Sequence, residues 1–252
     1  MVESSKSLTL IIVDYNNAVS ISDGENFGSR LLSKLSEIVS LSLRESQNVT
    51  GVNIRLYGGW YEDGVFTSAA SRISQVIDSE PFFPIKSVNC NTIQGSIDMP
   101  ASSIANPMRR WVSLFKQGTG TPRLQLCPSI DTRICDTTRD QCPIHALRKF
   151  SQAKGKQCPV QTCDRTNADV FRQSKQKKVD VMMASDIVTA ATGTYDTYQL
   201  IAVFTDDTDL YPALVDAANH HKNVVLFKPN QAREDQETEL LLSAGVIVRL
   251  AQ

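Results

Sequence analysis

Long apolar runs are missing from this 252-residue chain. None approaches the ~20 residues that a bilayer-spanning helix needs. Met1 to Ser7 also lacks a cationic start followed by an apolar stretch and a small-residue cleavage site. The expectation is a cytosolic protein with no membrane partner. Phosphate-cradling signatures are missing too. No Gly-x-Gly-x-x-Gly follows the first apolar run and no Walker-type Gly-Lys-Ser occurs, so dinucleotide and P-loop readings lose their main support. The six cysteines contain no Cys-x2-Cys pair, the usual knuckle of a zinc site.

What is present is ordinary globular composition, 41% apolar and 21% charged, which predicts a sizeable core. The length suits one large α/β domain, with or without an insert. A net charge of -1 hides an asymmetry: Ala101 to Lys178 carries fifteen Lys and Arg against five Asp, leaving eleven basic and twenty-two acidic residues elsewhere. An acidic body thus carries a basic segment. That segment is either a solvated face or a nucleic-acid contact, since neutralising phosphates releases counterions and drives sequence-independent binding.

Leu8 to Val13 is a nearly continuous apolar run, as expected of a central parallel strand covered on both faces. It ends in Asp14-Tyr15-Asn16-Asn17. Gly28 to Arg44 places Leu31, Leu32, Leu35, Ile38, Val39 and Leu43 on a helical face. Asn53 to Tyr57 reads as a second strand, Phe66 to Ile77 as a helix and Ile85 to Cys90 as a short strand. This alternation is the signature of βαβ units building a parallel sheet. Trp60 and Tyr61 are secondary candidates for RNA contact, with sheet-edge packing the blander alternative.

From about Gln94 to Arg172 the rhythm disappears, which predicts an insert over 94–172. Met108, Trp111, Leu114, Phe115, Leu147 and Phe150 are its apolar anchors. Cys127, Cys135, Cys142, Cys158 and Cys163 lie there, with His145 three residues after Cys142. These could form a structural zinc site that folds the segment, remain as free or buried thiols, or pair as disulfides. The segment ends in a basic run, Arg172, Lys175, Lys177 and Lys178, positioned to bind phosphate beside the acids that follow.

Lys178 to Ala191 reads as a helix. Asp180 and Asp186 lie about 120° apart around its axis, so at most one points at a shared ion. Asp180 is assigned to capping the helix start and Asp186 to the metal. Ile201 to Phe204 is a second buried strand running into Thr205-Asp206-Asp207-Thr208-Asp209. Three carboxylates within four residues repel unless a cation or a shared proton offsets them. In open α/β sheets ligands bind outside such strand ends. Helices over Asp209 to Ala218 and Glu237 to Ser243, and strands over Asn223 to Phe227 and Val246 to Leu250, complete the pattern.

Three blocks, Ile-Ile-Val-Asp14-Tyr-Asn-Asn17, Lys178-Val-Asp180 through Asp186, and Val-Phe-Thr205-Asp206-Asp207-Thr208-Asp209-Leu-Tyr-Pro212, resemble the NYN domain, a branch of the PIN-like nuclease superfamily. The resemblance covers about Leu8 to Tyr57 and Lys178 to Leu250. Asp206 stands where that family has a turn glycine, and Lys177-Lys178 where it has Lys-Gly. The resemblance implies a three-layer αβα fold with a mostly parallel sheet. It also implies a metal-dependent nuclease acting on RNA, with Asp14, Asp180, Asp186, Asp207 and Asp209 as acids and Asn17 as the accompanying amide. On this expectation Asp14, Asp186, Asp207 and Asp209 hold Mg2+ or Mn2+, for which oxygen donors are suited. Two other readings are a catalytically silent RNA-binding or regulatory module, and a phosphohydrolase of the Asp-x-Asp type. The latter would carry its motif after the first strand, where this chain has Asp-Tyr-Asn-Asn.

Overall fold

The computed structural model describes residues 7–19, 21, 24–46, 49–86, 92–119, 143–152, 157–158, 164–170, 172–176, 178–193, 198–220, 222–229 and 236–251. The elements in chain order are β1 (Leu8–Asp14), α1 (Phe27–Arg44), β2 (Gly51–Tyr57), β3 (Tyr61–Glu62), β4 (Val65–Phe66), α2 (Ser68–Ser79), β5 (Ile85–Lys86), β6 (Thr92–Asp98) and β7 (Phe115–Thr119). They continue with α3 (Pro143–Gln152), α4 (Asn167–Val170), β8 (Arg172–Gln176), α5 (Val179–Thr192), β9 (Tyr198–Phe204), α6 (Tyr211–Asn219), β10 (Asn223–Lys228), α7 (Gln236–Ser243) and β11 (Ile247–Leu250). The chain divides into two compact units, one of residues 1–115 with 176–252, the other of residues 116–175.

The first unit is α/β. Its seven-stranded sheet has the order β11-β10-β9-β1-β2-β6-β5. Every neighbouring pair is parallel except β5 with β6. Because side chains alternate along a strand, the central apolar runs divide between two cores. Ile11 and Val13 join Val52, Ile54, Leu56, Ala202 and Phe204 under α1 and α2. Leu10 and Ile12 join Tyr57, Ile201 and Val203 under α5, α6 and α7. Helices therefore flank both faces, an arrangement compatible with three αβα layers. By the same alternation Asp14 and Thr205 are the next members of the α5 face.

Thr67 caps α2, accepting a hydrogen bond from the amide of Ala70 at 3.3 Å, so that helix starts two residues after the expected Phe66. The second unit is narrower than the expected insert over 94–172. Its described part pairs β7 with β8 and adds α3 and α4, with buried Asn167 donating to the Phe150 carbonyl at 3.0 Å. Residues Gln94 to Asp98 belong instead to β6 of the main sheet. Only Ile93 of β6 is fully buried, because the strand outside it, β5, is two residues long. A strand so exposed has no apolar run to announce it.

Of the expected insert anchors, Leu114 and Phe150 are buried, while Met108, Trp111 and Leu147 are exposed. Trp60 is a core residue instead of an RNA contact. It is 2% exposed, donates through Nε1 to the Leu56 carbonyl at 2.6 Å and meets the Tyr15 ring edge-on. Tyr61 is half-buried beside Phe66.

Gly95 in β6 lets Phe83 approach the strand closely. A Cβ added there would meet the Val52 carbonyl oxygen and lie 2.6 Å from the Phe83 ring. Gly95→Ala should lower the urea midpoint by the equivalent of about 1–3 kcal/mol of overpacking. An unchanged midpoint would show that β6 shifts freely.

Candidate active site

The parallel strands β1 and β9 run side by side and end together, Val13 opposite Phe204. Asp14, the last residue of β1, is 6% exposed. The single π-turn that follows, Tyr15–Val19, folds the backbone over its carboxylate. Oδ1 accepts from the amides of Asn16 and Asn17 at 3.2 and 3.4 Å. Oδ2 accepts from Asn17 Nδ2 at 2.6 Å and from the Thr205 hydroxyl at 3.3 Å. Asn17 thus orients the Asp14 carboxylate.

Thr205 is fully buried and links the two strand ends. While it donates to Asp14, its oxygen accepts from the Asp207 amide at 3.0 Å. Asp207 in turn caps a 3-10 turn over Thr208–Leu210, accepting from the Asp209 amide at 3.0 Å. The four-residue acidic turn is therefore ordered by its own side chains. Asp206 lies outside the positive-φ positions of the described chain, which are Asn26, Asp63 and Lys178 apart from glycines. The residue in the left-handed region is Lys178, φ +67°, at the N-cap of α5. Of the two places where the NYN pattern has glycine, only the second needs glycine's freedom here. A non-glycine residue there costs about 1–2 kcal/mol.

The two helix acids stand opposite to expectation. Asp180 makes no cap: Lys178 is the N-cap, with no side-chain bond. Asp180 lies exposed in the first turn, and burial together with the charges of Asp207 and Asp209 raises its pKa. Burial also raises the pKa of Asp14, against the pull of its hydrogen bonds, and the charge of Asp180 adds to the rise. Asp14, Asp180, Asp207 and Asp209 therefore form one electrostatic group drawn from β1, α5 and the turn after β9.

Asp186, expected to reach the metal, is instead fully buried in a separate network. It accepts from the Tyr57 hydroxyl and, at 2.7 Å, from the Ile104 amide. Arg55 lies 3.2 Å from Asp186 and 3.3 Å from Asp98, while also donating to Tyr57 at 3.0 Å and to the Ser102 carbonyl at 2.6 Å. Arg55 and Tyr57 share one face of β2, being two residues apart. Burial raises the Asp186 pKa, opposed by the Tyr57 hydrogen bond and the Arg55 charge. Its acceptor capacity is engaged by structure.

Among the described residues, no group of three His, Cys, Asp or Glu side chains lies close enough to hold a metal ion as placed. For the zinc expectation, Cys127, Cys135, Cys142 and Cys163 lie outside the described residues. Cys158 is a half-buried free thiol. His145 falls on α3, and Arg172 and Lys175 on β8, with side chains outside the description. Lys177 is also outside it, and Lys178 is exposed.

Two residues at the strand ends went unnoticed in the sequence. Thr205 reads there as a turn residue. Lys228 ends β10, one residue beyond the Phe204–Phe227 pair. It is 5% exposed, its ammonium 5.6 Å from the Tyr211 ring centre and 3.4 Å from the Thr238 hydroxyl. A lysine closing an apolar strand was the available signal. No family model matches the chain, nor does any curated protein or solved structure.

The two helix acids should separate experimentally. Asp186→Ala strands Arg55 and Tyr57 without their buried acceptor and should cost about 3–5 kcal/mol in chemical unfolding. Asp180→Ala, exposed and crowded by like charge, should cost nothing. Equal losses would refute the division. The acidic group also predicts a pH signature. A carboxyl whose folded pKa is raised binds its proton more tightly when folded. Its contribution to stability is fully present below the ordinary aspartate value of 3.8 and is lost as pH rises through the raised value. Asp180→Asn should melt higher than the parent at neutral pH and equal to it near pH 3, as followed by thermal melts across that interval.

Proposed function

We propose that the chain is a metal-dependent nuclease, with RNA as its substrate, whose acids are Asp14, Asp180, Asp207 and Asp209. The observation that carries this reading is the gathering of those four carboxylates where β1 and β9 end beside the first turn of α5, with the pKa of Asp14 and Asp180 raised mainly by burial and further by neighbouring carboxylate charge. Proteins tolerate such like-charge groups mainly where the charge is used, and sheet ends of this kind are where α/β folds bind ligands. The three sequence blocks resembling NYN domains supply the reaction class and the PIN-like reading of the fold.

The donor set fits a hard divalent cation. All four side chains offer carboxylate oxygens, the preferred ligands of Mg2+ and Mn2+. Mg2+ keeps several waters and uses one or two carboxylates with substrate phosphate, so it does not require three protein ligands already in contact. A bound ion of this kind would polarise the scissile phosphate and lower the pKa of an attacking water. Asp14, held at both oxygens by Asn17 and Thr205, supplies a fixed donor. Asp180, with no hydrogen bond constraining it, supplies an adjustable one. Asp207 keeps the turn closed through one oxygen while its second oxygen remains to meet an ion.

A second reading, a catalytically silent RNA-binding module, draws on the spacing of the acids, which do not converge as a threesome. Cleavage of single-stranded RNA in Mn2+ decides between them. The parent should cleave, Asp14→Asn and Asp180→Asn should each lose about a hundredfold or more, and the conservative Asp207→Glu should retain partial activity. Activity should climb as pH rises past the ordinary aspartate range, because Asp14 and Asp180 must ionise first. Equal cleavage by the parent and Asp14→Asn would remove the nuclease reading; tight RNA binding in chelator without cleavage in any divalent ion would favour the silent module.

A further inference from the structure

The loop over 99–114 joins β6 to β7 and carries three exposed apolar side chains, among them Met108, the most exposed large apolar residue among the described residues. Met108 is 90% exposed, Val112 64% and Trp111 46%. Exposed residues of this size are unremarkable on a loose loop, but this one is tied down along its length. The Ile104 amide and the Ser102 carbonyl bind the buried Asp186 and Arg55. The Trp111 amide donates to the Ala101 carbonyl at 2.7 Å, and the Arg109 amide to the Asn106 carbonyl at 3.1 Å. The Val112 carbonyl accepts from Gly64, Ser113 bonds Asp63, and the Leu114 amide donates to Tyr61 at 2.8 Å. A fixed backbone thus presents an indole to solvent.

Its surroundings are basic. Arg109 and Arg110 precede it and are exposed. The Lys178 ammonium lies 5.1 Å from the Trp111 ring centre. Lys178 stands two residues before Asp180, so one lysine side chain separates the indole from the first turn of α5 and the acidic group. An aromatic face flanked by cations is the combination that holds single-stranded nucleic acid: bases stack on the ring and the charges track the backbone. A protein-binding patch would need no such cations, nor a position beside the acids.

We infer that Trp111 is a stacking platform for a nucleobase of single-stranded RNA, with Arg109, Arg110 and Lys178 meeting the adjoining phosphates. This rests on the nuclease reading and sharpens it: the substrate enters unpaired, because a base inside a duplex has no free face to stack. The Asp186 and Arg55 network then positions this loop beside the acidic group.

The chain's two tryptophans make the test direct. Trp60 is buried, so a change in emission on adding RNA reports Trp111. Binding of the full chain to a twelve-nucleotide oligouridine and to a blunt RNA duplex of equal length would be measured in chelator, where cleavage is absent. The oligouridine should quench the parent's emission but not that of Trp111→Phe. Trp111→Ala should bind it about 5- to 100-fold more weakly, from the ~1–3 kcal/mol that one stacked base contributes. Trp111→Phe should restore most of that affinity, and duplex binding should stay unchanged. Unaltered oligouridine binding by Trp111→Ala would overturn the inference while leaving the nuclease reading intact if the parent still cleaves. So would equal losses for both RNAs, or Trp111-dependent self-association in sedimentation without any effect on RNA. Absence of RNA binding and cleavage in the parent would overturn both.

Discussion

A carboxylate sealed from water ties three separate parts of this molecule together. Asp186, on the inward face of α5, receives the Tyr57 hydroxyl and Arg55 from β2 and the Ile104 amide from the loop after β6. A buried ion pair of this kind is weak evidence for net stability, since desolvating both charges offsets much of their attraction. Its consequence is geometric. With any partner missing the others are left buried and unsatisfied, so helix, sheet and loop have one arrangement in which all are paired. That arrangement holds α5 and the 99–114 loop to β2.

The opposite economy holds at the strand ends. There burial raises the pKa of Asp14 and Asp180, with a further rise from the charge of Asp180 on the first and of Asp207 and Asp209 on the second. Hydrogen bonds from Asn17, Thr205 and the local backbone hold the Asp14 carboxylate in place without cancelling the rise. The same residue type is a hydrogen-bonded structural anchor at Asp186 and an exposed member of the acidic group about two turns earlier on the same helix. What separates them is exposure and partner: one meets a guanidinium in the core, the other meets like charges at the rim. Lys178, strained in the left-handed region at the head of that helix, turns its ammonium to the Trp111 ring.

Legibility followed the strength of the local signal. The runs Leu8 to Val13 and Ile201 to Phe204 are apolar on both faces, and only a covered central strand demands that, so both strands and their acidic ends could be read directly. The helical stripe of α1 was equally plain. β6 could not be read, because an exposed strand next to a two-residue edge strand has no need of apolar residues. Trp60 and Trp111 exchanged roles. Both are aromatic residues near turns, and only the fold decides that one ring is enclosed by Tyr15 and the Leu56 carbonyl while the other faces solvent.

The sequence by itself determined the α/β class, the parallel strands that end in Asp14 and in the Thr205 to Asp209 turn, and the presence of two acids that point in different directions from one helix. Period-two and period-3.6 patterns are local properties and survive without knowledge of neighbours. Which of Asp180 and Asp186 belongs to the acidic group was decided by the tertiary structure alone. Helical geometry fixes the angle between two side chains but not the rotation of the helix against the sheet. That rotation depends on Arg55 and Tyr57, more than a hundred residues away, which hold Asp186 inward and leave Asp180 beside Asp207 and Asp209.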